Sequence, residues 1–438
     1  MRSYRAELGG ARVGVWGFGR EGRAVAQTAV ASGADEVIVV DAVLPGDAAD
    51  FGPPIRLLSG DENLAALRVC DRVFVSPGVP WFHPVAVELR ASTTPMSSAT
   101  DLFLSAAADA VIGVTGTKGK STTVSFAAHV LNRVGGSAVA AGNIGLPLLD
   151  VPDDPELTVV AEISSQQCAA IARSPRIAVV TNLGEDHLDF HGGVEEYVRA
   201  KARIFDRGAQ TLICEHAALA QLRALSGPAV DFPPVILTEE AIVDRWPAIE
   251  TIDPRSTMRY PHNQPNGQLA VLAVEASLGR QLSAAEISDA LDSFTALPHR
   301  LEVVRTVGGT RWIDDTLATT AESVVVALTA MPAQQRVAVI VGGLDRGISY
   351  RELDDFLLSG VRSVDLIQIP SNGAEIGRGY AAAQPDRVHA AGDLTAAVQV
   401  ADALDVDAVL LSPGAPSYDA YVNFEAKAAA FIAAVDQL

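Results

Sequence analysis

The sequence predicts an α/β protein of three domains, each built on a mainly parallel, doubly wound sheet. Three observations carry this expectation. Short apolar runs alternate with Ala-rich helical stretches from Ala11 to the C-terminus, which is the pattern of βα units. Gly-rich turns follow predicted strands at Gly17-Phe18-Gly19-Arg20-Glu21-Gly22 and at Gly116-Thr117-Lys118-Gly119-Lys120-Ser121-Thr122. The chain has 438 residues, and at ~150 residues per domain that length suggests about three cores.

Residues 1–99 read as a Rossmann-like domain. Ala11 to Trp16 forms a strand, Gly17 to Gly22 satisfies G-x-G-x-x-G, a helix follows, and Glu36 to Val40 forms a second strand ending in Asp41. The glycines let a pyrophosphate approach the backbone, and an acid at the end of the second strand suits a ribose. Taken alone this suggests NAD, but any phosphate-bearing nucleotide suits a Gly-rich helix N-terminus. A third strand, Arg72 to Val75, runs into Ser76-Pro77-Gly78-Val79-Pro80, a turn at the strand ends where ligands of parallel sheets collect.

Residues 100–298 read as a P-loop ATPase domain. A strand at Ala110 to Gly113 enters the second Gly-rich turn, and a helix runs from there to about Leu131. Backbone N–H groups and a helix N-terminus cradle phosphate oxygens, a lysine reaches the terminal phosphates, and a hydroxyl holds Mg²⁺. The spacing departs from G-x-x-x-x-G-K-[ST], because position 114 is Val. Further on come Gly142-Asn143-Ile144-Gly145, a strand from Thr158 to Ile163 carrying Glu162 and followed by Ser164-Ser165, and a strand from Arg176 to Leu183 that delivers Glu185-Asp186-His187. Carboxylates and a histidine at strand ends beside a phosphate loop are placed to bind metal or move protons. Lys201, in the helical run Val194 to Phe205, reads by composition as a solvated lysine.

Residues 299–438 read as a third, smaller doubly wound domain, again Rossmann-like. Its strands are Arg311 to Asp315, Val337 to Val341, Val364 to Ile369 and Ala408 to Leu411. Polar turns follow three of them, at Asp314 to Thr320, Gly342 to Gly347 and Ser412 to Ser417. Turns that all follow parallel strands can face one crevice.

Composition narrows the function. A hydrophobic fraction of 49% with 20% charged residues is that of a globular chain. The net charge of −20 argues against nucleic-acid binding. Cys70, Cys168 and Cys214 fit neither a disulfide framework nor a metal pattern and read as buried, reduced thiols. No apolar run approaches ~20 residues and no signal peptide opens the chain, so no membrane insertion and a cytoplasmic location are expected.

Together with Thr115 to Thr122, the motifs Gly142-Asn143-Ile144-Gly145, Glu162 to Ser165, Glu185-Asp186-His187, Tyr197 to Lys201, His262 to Asn266, Leu297-Pro298-His299-Arg300 and Asn423-Phe424-Glu425 closely resemble those of the Mur ligases. The resemblance spans the chain and is best with the glutamate-adding members. It implies ATP-dependent addition of glutamate to UDP-N-acetylmuramoyl-L-alanine, through an acyl phosphate, in cytoplasmic peptidoglycan synthesis by a monomer. Carried over position by position, it implies that Gly116, Thr117, Lys118, Gly119, Lys120, Ser121 and Thr122 hold the ATP phosphates, with Asn266 at the adenine, Arg300 at the phosphates and Asp315 at the ribose. It implies two Mg²⁺ ions, one on Ser121 and Glu162 and one on His187 and a carbamylated Lys201. Lys120, His187, Lys201 and Arg300 form the catalytic set. The UDP substrate falls to Gly17, Phe18, Gly19, Arg20, Asp41, Gly78, Asn143 and Ser164, and glutamate to Leu317, Thr319, Arg346, Ser417 and Phe424.

Two positions depart from the D-glutamate-adding pattern, where lysines stand in place of Leu317 and Arg346. A carboxylate pocket that loses one cation and gains a fork-shaped guanidinium is chemically altered. With Gly19-Arg20-Glu21-Gly22 and Ser412 to Ser417, this looks like the variant group that adds L-glutamate and relies on a separate epimerase; the D-glutamate-adding enzyme is the alternative. More distant readings fit less well. An NAD-dependent oxidoreductase leaves Lys120, Glu162 and His187 unexplained, folylpolyglutamate synthase has its phosphate loop near the N-terminus, and a nucleotide switch needs no third domain.

Overall fold

The computed structural model describes residues 4–44, 52–79, 83–92, 94–186, 188–253, 256–295 and 298–438. Contacts divide the chain into two compact units, Met1–Ile252 with Asn263–Ser293, and Asp253–His262 with Phe294–Leu438. The first unit carries two sheets and the second carries one.

The first sheet is built from β1 (Arg12–Trp16), β2 (Glu36–Asp41), β3 (Ile55–Ser59), β4 (Arg72–Val75) and β5 (Met96–Ser97), in the order β3-β2-β1-β4-β5 with every pair parallel. The chain reverses its winding between β1 and β4, which opens a crevice beyond their C-terminal ends. Gly22 shows why this turn needs glycine, since a Cβ there would lie 1.9 Å from the Gly17 carbonyl oxygen.

The second sheet uses β6 (Val111–Thr115), β7 (Ser137–Gly142), β8 (Leu157–Glu162), β9 (Ile177–Val180), β10 (Thr211–Cys214) and β11 (Val235–Leu237), ordered β11-β10-β9-β6-β8-β7 and all parallel. Every residue of β6 and β9 is buried, as a strand covered on both faces requires. β6 runs two residues past the expected Gly113, because Val114 and Thr115 still pair with Val179 and Val180 of β9. β9 ends earlier than expected, because Thr181 and Asn182 turn their hydrogen bonds to the phosphate loop instead.

The second unit contains β12 (Glu302–Val307), β13 (Thr310–Asp314), β14 (Val337–Val341), β15 (Val364–Gln368), β16 (Val388–Ala390) and β17 (Ala408–Leu411), ordered β12-β13-β17-β14-β15-β16. Only the β12–β13 hairpin is antiparallel among these described pairs. β17 returns between β13 and β14, so the C-terminal ends of the three strands sit side by side. Strands β3, β5, β7, β10, β11, β12 and β16 were not expected from sequence. Most are short or at a sheet edge, where half-exposed residues blur the apolar run.

Apolar clusters cover the sheets, for instance Phe103, Val111, Val159, Ala178 and Phe205 in the first unit and Leu301, Val324, Val339 and Leu410 in the second. All three cysteines are buried. Among the described residues no helix is long and apolar enough to cross a membrane.

Candidate active site

The phosphate loop is a strained turn held from behind. Gly116 has φ +145° and Gly119 φ +81°; a Cβ at the first would lie 1.9 Å from Thr181 Oγ1 and at the second 2.1 Å from Asn266 Oδ1. The Thr117 N–H donates to the Asn182 carbonyl at 2.8 Å and the Lys118 N–H to Asn182 Oδ1 at 2.9 Å. Gly119 is the N-cap of the helix Lys120–Arg133 and offers its first turn no side-chain cap. Uncapped N–H groups at a helix start are an anion-binding arrangement. Lys120 Nζ bonds the carbonyls of Gly116 and Thr117 at 3.0 and 2.9 Å, which folds it over its own loop.

Beside the loop, Ser121 Oγ donates to Glu162 Oε2 at 2.7 Å, and Asn143 Nδ2 donates to Glu162 Oε1 at 2.9 Å. Glu162 ends β8 and is buried. A hydroxyl and a carboxylate in contact are hard oxygen donors of the kind Mg²⁺ takes, so these residues fit such an ion.

Lys201 is not solvated. It lies on the buried face of the helix Val194–Asp206, 1% exposed, with Nζ 2.7 Å from the Gly116 carbonyl and 4.7 Å from the centre of the Tyr197 ring. Burial, aided by the nearby Lys120 charge, pushes its pKa down to about 7. Tyr197, which sequence reasoning noted only as the start of a motif, hydrogen-bonds Thr117 Oγ1 at 2.9 Å. His187 lies outside the described residues.

The crevice between β1 and β4 continues to the second sheet as a cleft of about 590 Å³. Of the residues expected to hold the UDP substrate, Gly17, Gly19, Arg20, Asp41, Gly78 and Asn143 line it. Arg20 ties the two sheets together by donating to the Gly142 carbonyl at 3.0 Å. Two expected residues stand apart. The Phe18 ring is 2% exposed and belongs to the core, and its backbone serves the turn, the N–H donating to Asp41 and the carbonyl accepting from Arg23 at 3.4 Å. Ser164 caps the helix Ser165–Ala170 in a capping box with Gln167. Glu21 was missed as a site residue. It lines the cleft, accepts from Gln167, and has an Oε2 that is buried with no partner among the described residues; burial raises its pKa to about 7.

In the second unit the three polar turns meet. Ser412 Oγ donates to Asp315 Oδ2 at 2.7 Å, the Gly342 N–H to the Pro413 carbonyl at 2.9 Å, and Arg346 to the Thr319 carbonyl at 2.8 Å. Asp315 is buried, and its pKa rises to about 7 despite Ser412 and Arg300. Arg300 itself is exposed, between His299 at φ +64° and Leu301 at φ +50°, a conformation non-glycine residues pay strain to hold. Among the bonds that hold that turn, the Leu301 N–H donates to Asp315 Oδ1, the His299 N–H to Glu302 Oε2 at 3.0 Å and the Leu317 N–H to the His299 carbonyl at 3.4 Å, while His299 Nδ1 bonds Asp314 Oδ2 at 2.7 Å. Phe424 packs edge-on against His299. Leu317 is half-buried, and Ser417 Oγ is buried with no hydrogen-bond partner among the described residues. Lys427 was missed. It is 1% exposed and braces the Gly342 turn by donating to its carbonyl at 2.6 Å.

A phosphate loop after the central strand of one sheet, with a polar crevice on another, defines a nucleotide-using enzyme class, and comparison with known proteins narrows it. The Mur ligase middle domain matches residues 114–223, and the Mur ligase glutamate ligase domain matches residues 299–415. The chain is 38% identical, over 98% of its length and 97% of the relative's, to the UDP-N-acetylmuramoyl-L-alanine--L-glutamate ligase of Micromonospora sp.. It is 34% identical, over 88% of each chain, to the UDP-N-acetylmuramoylalanine--D-glutamate ligase of Symbiobacterium thermophilum. The crystal structure of UDP-N-acetylmuramate-alanine ligase from Thermotoga maritima aligns over 98% of this chain and 99% of that one, with a TM-score of 0.59 at 18% identity, a likeness of fold. The chain belongs to the Mur ligase family of ATP-dependent ligases.

Proposed function

We propose that this protein joins L-glutamate to the alanine carboxylate of UDP-N-acetylmuramoyl-L-alanine at the expense of ATP. The observation that carries the reading is the contact of Ser121 with Glu162 beside a phosphate loop whose lysine bends over it. ATP with Mg²⁺ supplies a γ-phosphoryl group to the substrate carboxylate, and the glutamate amine then displaces phosphate from the resulting acyl phosphate. Lys120 exchanges its two carbonyl bonds for phosphate oxygens, and the N–H groups at the start of the helix Lys120–Arg133 complete the cradle. Ser121 and Glu162 would hold the first Mg²⁺, and His187 with Lys201 the second.

The burial of Lys201 supports a carbamate at this position. With a pKa near 7 a large fraction is neutral amine at physiological pH. A neutral amine adds to dissolved CO₂, forming an N–C bond and releasing one proton to water. The product is a carbamate, an oxygen ligand for metal where a cation stood. Asn266, packed against Gly119, would join the nucleotide residues, as would Arg300 and Asp315. Thr319, Arg346, Ser417 and Phe424, with Leu317 as an apolar wall, would take the glutamate.

The L isomer rests on Leu317 and Arg346 and on the name of the Micromonospora relative. It implies a separate epimerase in the same cell. The three sheets support functional domains at 1–99, 100–298 and 299–438, and the reading places the enzyme in the cytoplasm as a monomer. The test is ADP release and product mass with ATP, Mg²⁺, UDP-N-acetylmuramoyl-L-alanine and either L- or D-glutamate. Turnover with L-glutamate alone is expected. Turnover with the D isomer alone overturns the isomer assignment, and silence with both overturns the substrate assignment.

A further inference from the structure

Leu317 and Phe424, two of the residues assigned above to glutamate, both touch a histidine that the ligase reading leaves unused. The Leu317 N–H donates to the His299 carbonyl at 3.4 Å, and the Phe424 ring meets the His299 ring edge-on with centroids 5.3 Å apart. The ring is oriented from behind. Its Nδ1 lies 2.7 Å from Oδ2 of Asp314, a fully buried carboxylate at the end of β13. The other oxygen of Asp314 accepts from the Thr316 N–H at 2.9 Å and from the Thr316 hydroxyl at 2.8 Å. A carboxylate that only accepts bonds fixes the tautomer of its partner, so Nδ1 carries the hydrogen and Nε2 the lone pair.

Among the described residues no group bonds Nε2, and the His299 side chain is 23% exposed. Because Nδ1 faces a buried group, the exposed edge of the ring is the one that bears Nε2. Holding the turn does not by itself call for this residue. Asparagine tolerates positive φ as well, and its amide N–H could reach Asp314 as Nδ1 does. Imidazole adds a second nitrogen that takes and returns a proton near neutral pH. A ring protonated there is already paired with Asp314, and Glu302, which accepts from the His299 N–H, stands beside it as a second acid.

We propose, resting on the ligase reading, that His299 is the general base of the amide-forming step and that Asp314 orients it. Glutamate in neutral water is an ammonium, which has no lone pair with which to attack. Nε2 takes one of its protons. The freed amine forms an N–C bond with the acyl phosphate carbon, and the C–O bond to phosphate breaks with its electron pair leaving on phosphate. The nitrogen sheds a second proton to the departing phosphate, and His299 returns its own to water.

The test compares the full chain with His299→Asn, each given ATP, Mg²⁺ and UDP-N-acetylmuramoyl-L-alanine. One reaction contains hydroxylamine, which is a neutral nucleophile at neutral pH, needs no base and traps the acyl phosphate as a hydroxamate. The other contains the glutamate isomer that the unsubstituted chain uses. In His299→Asn, hydroxamate formation and the KM for glutamate should each stay within about threefold, while kcat for amide formation falls at least about a hundredfold. Amide formation at the unsubstituted rate overturns the assignment, as does a loss confined to KM or an equal loss of hydroxamate and amide. If His299→Asn does not fold, His299→Gln replaces it and is judged by the same criteria. An unsubstituted chain that makes neither product overturns the ligase reading and the base with it, whereas a variant that matches an active unsubstituted chain overturns the base alone.

Discussion

Lys201 Nζ donates to the Gly116 carbonyl at 2.7 Å, so a lysine of one helix is fastened to the first turn of the phosphate loop. Its removal therefore touches loop geometry, and on the proposed function metal binding as well. Lys201→Ala should lower turnover by about a hundredfold, the scale of losing a metal-site ligand or its support. High bicarbonate with a short carboxylic acid should restore part of it if a carbamate is the working group. Full activity in the unrescued variant would refute that role.

Gly119→Ala places a methyl in left-handed backbone and into the Asn266 amide. The backbone strain alone is about 1–2 kcal/mol. ATP affinity should fall at least tenfold in a binding titration, while Gly392→Ala, with open space around it, should leave affinity unchanged.

Ser417→Ala separates stability from binding. Its hydroxyl is buried with no partner among the described residues, so its loss removes an unmet desolvation cost and should raise the unfolding free energy by about 1 kcal/mol. The KM for glutamate should rise several-fold, and an unchanged KM would remove Ser417 from the glutamate site.

Glu21 makes stability depend on pH. Its carboxyl titrates near 7 in the fold against an ordinary 4.5. Between those values the folded state holds a proton that the unfolded state has lost, so stability falls as pH rises from 4.5 to 7. Glu21→Gln keeps the acceptor for Gln167 and should stabilise the protein by about 1–3 kcal/mol at pH 8. Below pH 4.5 the two proteins should unfold at the same denaturant concentration.

Leu317→Lys with Arg346→Lys restores the cations of the D-glutamate-adding pattern. The kcat/KM ratio of L- to D-glutamate should fall at least tenfold, and an unmoved ratio would show that these positions do not read handedness.

Much of this was legible because function here is written into backbone chemistry. Gly116, Gly119 and Lys120 sit next to each other in sequence, so the turn that needs them could be seen without coordinates. The meeting of Asp315, Arg346 and Ser412 was foreseeable because all follow parallel strands. Burial of a charged group was not. Lys201 and Lys427 look like surface lysines in sequence, and only tertiary packing puts each within 3 Å of a loop carbonyl. Phe18 failed in the opposite sense: inside a glycine motif it looked like a ligand contact, yet its ring fills the core. Edge strands such as β12 escaped notice because Glu302 to Val307 has no fully buried residue to mark it.

The three sealed thiols make this chain a ready background for spectroscopy. Burial raises Cys70 to about 11 and Cys214 to about 12 and pushes Cys168 upward as well, so little thiolate is available to an alkylating dye at neutral pH. A cysteine placed at Val243, 56% exposed in the first unit, and another at Val361, 74% exposed in the second, should be the ones a maleimide finds. A fluorophore pair at those points would follow the separation of the two units through a catalytic cycle, without first removing any native cysteine.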